Sequence, residues 1–141
     1  MRDPEMVTVF LEEYSELLDI ASKSTTSFST GKGENQQKQY NKSVNDLFRV
    51  FHTVKGNSAY LDFRRLKKLS GAYCDFFRTV KESDGKHKVT PDQVELIQKC
   101  LRTMTKFKFS IKSGKKGGRI PVARLIKEIE IETKKWLVKE I

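Results

Sequence analysis

The residues whose types and spacing could do chemistry together are His52, Lys55 and Gly56. If the stretch from Phe48 to Ala59 is helical, each residue is rotated about 100° from the last, and these three become neighbours at i, i+3 and i+4. Leu47 and Phe51 then point to a core, which turns His52 to the core's edge or out to solvent. Imidazole is a good nucleophile near neutral pH. A lysine one turn later can offset the charge of a phosphoryl group arriving there. A mid-helix glycine costs roughly 1 kcal/mol relative to alanine, so Gly56 calls for a reason. Beside a nucleophile, a missing side chain leaves room for another protein to approach.

The rest of the chain reads as the scaffold for that helix. Asp3-Pro4 is a good helix start, and Val7, Phe10, Leu11, Tyr14, Leu17, Leu18 and Ala21 follow at three-four spacing. Ser22 to Gln39 is rich in Ser, Thr, Gly and Gln without a period, and predicts a long loop. The second helix is expected over 39–60, with Tyr40, Val44, Leu47, Phe48, Phe51, Val54 or Lys55, and Ser58 inward. Leu61-Asp62-Phe63 reads as a turn. A third helix over 64–82 buries Leu66, Leu69, Tyr73, Phe76, Phe77 and Val80, and Ser83-Asp84-Gly85-Lys86 ends it. Thr90-Pro91-Asp92-Gln93 is a capping box with proline in first place, opening a fourth helix with Val94, Ile97, Leu101, Met104 and Phe107 inward. Lys112 to Arg119 holds four Lys/Arg and three Gly, a flexible basic linker. From Pro121 a fifth helix carries Val122, Leu125, Ile126, Ile129, Thr133, Trp136 and Leu137 on one face. No segment alternates as a strand does. The expected fold is all-α, an antiparallel four-helix bundle with an additional C-terminal fifth helix. The expected division is a bundle over 1–110, a linker over 111–120, and a terminal helix over 121–141 packed on or extending the bundle.

Composition narrows the class. The chain has 141 residues, 37% hydrophobic and 33% charged, enough for one packed domain. Its net charge of +10 raises the expectation of an acidic partner, whether protein, nucleic acid or anionic surface, although charge alone fits a basic, solvated surface better. No apolar run approaches the ~18 residues of a membrane span, and the start Met-Arg-Asp-Pro-Glu has no leader-like apolar stretch. Cys74 and Cys100 sit in apolar-periodic segments and read as reduced core or half-buried residues of a cytoplasmic protein. No Cys/His cluster has metal-site spacing, so no metal is expected. Gly114-Lys115-Lys116-Gly117-Gly118 lacks the spacing of a nucleotide-binding loop. His87 reads as solvated, Trp136 as a packing anchor, and Arg64-Arg65 with Lys67-Lys68 as a solvated or partner-steering basic run.

The run His52-Thr53-Val54-Lys55-Gly56-Asn57-Ser58-Ala59-Tyr60-Leu61-Asp62-Phe63 resembles the H-x-x-K-G signature of histidine phosphotransfer domains. Phe10 to Leu18 is similar to the first helix of the phosphotransfer domain of chemotaxis-type histidine kinases. Leu47-Phe48-Arg49 and Val89-Thr90-Pro91 fit as well, so the likeness runs from about Pro4 to Lys108. The resemblance implies a phosphoryl group carried on His52 at Nε2, Lys55 beside it, and Gly56 as the opening for a docking partner. It implies docking over Asn45, Phe48, Arg49, His52, Gly56 and Ala59. The implied partners are a response-regulator receiver domain, a histidine kinase catalytic domain, or both. These would bring ATP and Mg²⁺; the chain itself is expected to bind no cofactor. Two positions depart from the family. Its turn glycine is Asp62 here, a residue that tolerates left-handed backbone. Where chemotaxis kinases carry a glutamate hydrogen-bonded to the imidazole, this chain has Cys74. A thiol is a weak acceptor, which favours a relay from a receiver aspartate over phosphorylation by a kinase domain, or a homologue that binds without transferring. The competing reading is a non-catalytic basic helical module for an acidic protein or nucleic acid. No aromatic residues interleave with the 112–119 basic run as single-strand binders require, so this reading ranks second and nucleic acid is not the expected partner.

Overall fold

The computed structural model describes residues 3–30, 36–83 and 88–139. Within them lie five helices, α1 (Pro4–Thr30), α2 (Gln36–Tyr60), α3 (Arg64–Glu82), α4 (Pro91–Lys112) and α5 (Ala123–Lys139). Asp3 starts α1 as its type predicts, its Oδ1 accepting the Glu5 amide at 2.9 Å. At α4, the Gln93 amide donates to Thr90 Oγ1 at 3.2 Å and the Thr90 amide to Gln93 Oε1 at 3.0 Å, closing the capping box.

The loop expected over Ser22–Gln39 is largely helix. α1 continues to Thr30 and α2 begins at Gln36. Hydroxyls that compete with helix in isolation here bond back along it: Thr25 donates to the Ala21 carbonyl at 2.7 Å and Thr26 to that of Ser22 at 3.0 Å. Packing does the rest. Ser24 and Thr25 are buried, Ser27 meets Ser43 across the helix pair, and Phe28 tilts against Tyr40 with centroids 5.6 Å apart. Tertiary contact outweighs weak propensity. Residues 84–87, with His87 and most of the expected turn after α3, lie outside the described residues.

α1 packs on α2 and α4, and α3 packs on α2. α3 and α4 meet only narrowly, because α5 lies along α3 and closes against α4. Tyr73 donates from α3 to the Leu96 carbonyl at 2.9 Å, and Tyr14 from α1 to that of Met104 at 2.6 Å. Phe51 stacks between Tyr73 and Phe77 at 5.4 and 5.7 Å. Trp136 is buried edge-on against Phe76, and its indole N–H donates to Gln93 Oε1 at 3.2 Å. Gln93 in turn donates to Glu132 at 3.2 Å, so one side chain joins the start of α4 to α5. Leu137, expected inward, is 52% exposed; one residue past Trp136, it falls off the buried face. The segment expected as a flexible linker begins inside α4, which runs to Lys112, and then makes tight turns. Gly117 there has φ +72°, and any side chain would collide with the Phe107 ring.

The turn into α3 holds Asp62 at φ +62°, the left-handed conformation expected of it. Its exposed carboxylate meets Arg64 Nε at 3.1 Å and Lys116 Nζ at 3.6 Å. The Arg64 guanidinium, with Lys116, holds that carboxyl below its ordinary value.

Candidate functional site

α2 is buried along Val44, Leu47, Val50, Phe51, Val54 and Ser58. That leaves Asn45, Arg49, His52, Gly56 and Ala59 exposed at alternating spacings of four and three, one strip along the outer face. Phe48 and Lys55 are half-buried on its α3 side. The strip predicted from sequence is thus brought together on one face.

α3 runs antiparallel beside it and sets the surroundings of His52. Sγ of buried Cys74 lies 4.0 Å from His52 Nδ1, so this nitrogen turns toward α3. Nε2 has no hydrogen-bond partner among the described residues, and the residue as a whole is exposed. Burial pushes the Cys74 thiol up, against the opposing pull of Arg78 and Lys55. It is therefore a neutral S–H at ordinary pH, able to accept weakly from Nδ1–H or to donate weakly to Nδ1. The Phe48 ring stacks on the imidazole, centroids 5.8 Å apart and planes 23° from parallel.

Lys55 leans its stem on α3. A Cβ added at Gly71 would stand 3.7 Å from both Lys55 Cδ and Cε, so the glycine leaves a shallow seat for that chain. Gly56 differs: a Cβ there would meet nothing within 4 Å. Neither packing nor backbone conformation in this chain asks for glycine at 56.

Three residues of the site escape a reading centred on α2. Gly71 lies in a run of small residues, Ser70-Gly71-Ala72, which signals close helix approach but not to which neighbour. Arg78 Cζ and Lys81 Nζ sit 5.8 and 5.2 Å from the Phe48 centroid. Their spacing of four and seven from Cys74 places them on the His52 side of α3. The basic run singled out instead, Arg64 to Lys68, lies toward the other end, where Arg64 pairs with Asp62 and Arg65 donates to the Ile120 carbonyl at 3.1 Å. A hollow of about 670 Å³ opens at that end between Val7, Leu61, Phe63, Ile111 and Lys115, away from the strip. No group of three or more potential metal-ligating side chains occurs among the described residues. No helix among them is long and apolar enough to cross a membrane.

Comparison with known proteins gives a match to the family model described as Hpt domain, over residues 5–106. A curated relative, the chemotaxis protein CheA of Borreliella burgdorferi, is 29% identical over 101 residues. The match takes in 72% of this chain but only 11% of that relative. No solved structure matches.

Proposed function

The chain belongs to the Hpt domain family, and on that footing we propose that it is a phosphorelay module that accepts a phosphoryl group on His52 Nε2 and exchanges it with a receiver-domain aspartate. The observation that carries this reading is the exposed imidazole with Nδ1 turned to α3, flanked by a seated lysine and by a glycine the fold does not require.

In the forward step the Nε2 lone pair forms an N–P bond as the aspartyl O–P bond breaks, its electron pair returning to the partner's carboxylate. The proton stays on Nδ1. Lys55 offsets charge on the transferring group, and its seat on Gly71 holds it one turn from the acceptor. Transfer of this kind rests on positioning and electrostatics. Mg²⁺, and ATP where a kinase domain is the donor, belong to the partners in this proposal. The weak thiol contact at Nδ1 favours receiver aspartyl phosphate over a kinase domain as donor, because little polarises the imidazole. The two unpaired buried cysteines suit a reducing, cytoplasmic setting.

The test is incubation with phosphorylated receiver domains, following acid-labile, alkali-stable label on the wild type and on His52→Gln. Label that depends on His52 supports the reading. Equal label in both proteins contradicts it, as does a wild type that no phosphodonor labels.

A further inference from the structure

α2 and α3 run side by side in an antiparallel register that pairs Phe48 with Arg78, His52 with Cys74, and Lys55 with Gly71. Carried outward, this register sets Lys81 near Asn45 and Lys67 near Ala59. The α3 edge of the strip is therefore basic at both ends and small in the middle, at Gly71 and Cys74, opposite the acceptor. At the end near Asn45 two cations lie over one aromatic ring, Arg78 Cζ at 5.8 Å and Lys81 Nζ at 5.2 Å from the Phe48 centroid, a contact that alone does not neutralise them. Arg78 pairs with Asp75 at 3.1 Å, whereas no carboxylate pairs with Lys81 among the described residues. The ring they share is the one stacked on His52. An anionic group seated on Arg78 and Lys81 thus lies beside the ring that stacks on the acceptor imidazole.

We propose that Arg78 and Lys81, gathered over Phe48, form a docking arm that takes acidic side chains on the rim of the phosphoryl-transfer partner and sets its orientation over His52. This rests on the reading of the strip as a phosphotransfer face, and the partner it fits is a receiver domain whose active-site rim is acidic. Two cations gathered at one ring repel each other, and a partner carboxylate that meets them offsets that repulsion. The arm acts on encounter and orientation and touches no reacting atom; both are positioning residues.

The test compares the full chain with Arg78→Gln/Lys81→Gln and Arg78→Glu/Lys81→Glu. Each is phosphorylated by two routes. One is transfer from receiver domains charged with acetyl phosphate. The other is direct reaction with potassium phosphoramidate, in which the Nε2–P bond forms as the reagent's P–N bond breaks and ammonia leaves with the proton. The second route needs no docking and reports an intact His52. Charge reversal is expected to lower receiver kcat/KM at low salt by about tenfold or more, mainly through KM, with the neutral pair intermediate and the salt dependence flattened. Phosphoramidate labelling is expected to stay at the wild-type rate. Unchanged receiver transfer overturns the docking arm, as does phosphoramidate labelling that falls in step with it. A wild type labelled by phosphoramidate but by no receiver overturns the partner assignment. A wild type labelled by neither route removes the phosphotransfer reading itself.

Discussion

Sγ of Cys74 lies 4.0 Å from Nδ1 of His52, so the inward nitrogen of the proposed acceptor faces a neutral thiol. Nε2 is nucleophilic only in the tautomer that keeps its proton on Nδ1. A carboxylate at this position would enforce that tautomer; a thiol enforces it weakly. Cys74→Glu should therefore raise the phosphoramidate labelling rate of His52 by roughly tenfold and move its ¹⁵N shifts toward the Nδ1–H form, the order expected of one strong hydrogen bond. Cys74→Ala should change the labelling rate by less than about threefold. A large loss of rate in Cys74→Ala, with the fold intact by circular dichroism, would show the thiol to be a strong orienting group.

Gly56 should separate stability from docking. A methyl group there meets nothing in this chain, so Gly56→Ala should stabilise the protein by about 0.5–1 kcal/mol through helix propensity. Gly56→Leu should keep phosphoramidate labelling and lose receiver transfer. Urea melts and the two labelling assays check both halves; destabilisation by Gly56→Ala contradicts the claim that the fold has no use for this glycine.

Lys55 carries the charge beside the acceptor. Lys55→Met keeps an apolar stem for the seat at Gly71 and removes the ammonium. It should slow transfer by about tenfold or more with little effect on stability, the scale of one lost charge-assisted contact in the transition state. Equal rates for Lys55→Met and the wild type would remove Lys55 from the chemistry.

Burial raises the thiols of both Cys74 and Cys100 above the ordinary thiol range. The unfolded chain then releases these protons first as pH rises. Their contribution to stability is complete below the ordinary thiol pKa of about 8.5 and is lost as pH climbs toward the raised folded values. Stability by urea should fall as pH rises above about 8.5. In Cys100→Ala, which carries one buried thiol fewer, the fall should be shallower; an identical slope contradicts this account.

Much of this was legible from side-chain pattern. The apolar spacing of α2 and α3, the Asp3 and Thr90 starts, and the turn at Asp62 are local decisions, made by residues within a few positions of one another. Ser22–Thr30 was not legible, because its helicity depends on Ser27 meeting Ser43 and Phe28 meeting Tyr40 across the bundle. The same division holds at the site. His52, Lys55 and Gly56 share one helix, and their spacing announces their juxtaposition. Gly71, Arg78 and Lys81 come from α3, and only the register between helices shows that one seats Lys55 and two converge on Phe48.

The most direct test of the central claim is ³¹P NMR of the protein after exchange with a phosphorylated receiver domain. The account predicts a single phosphohistidine resonance assignable to Nε2, lost on mild acid treatment and missing from His52→Gln. A resonance that survives in His52→Gln, or one on Nδ1, would contradict it.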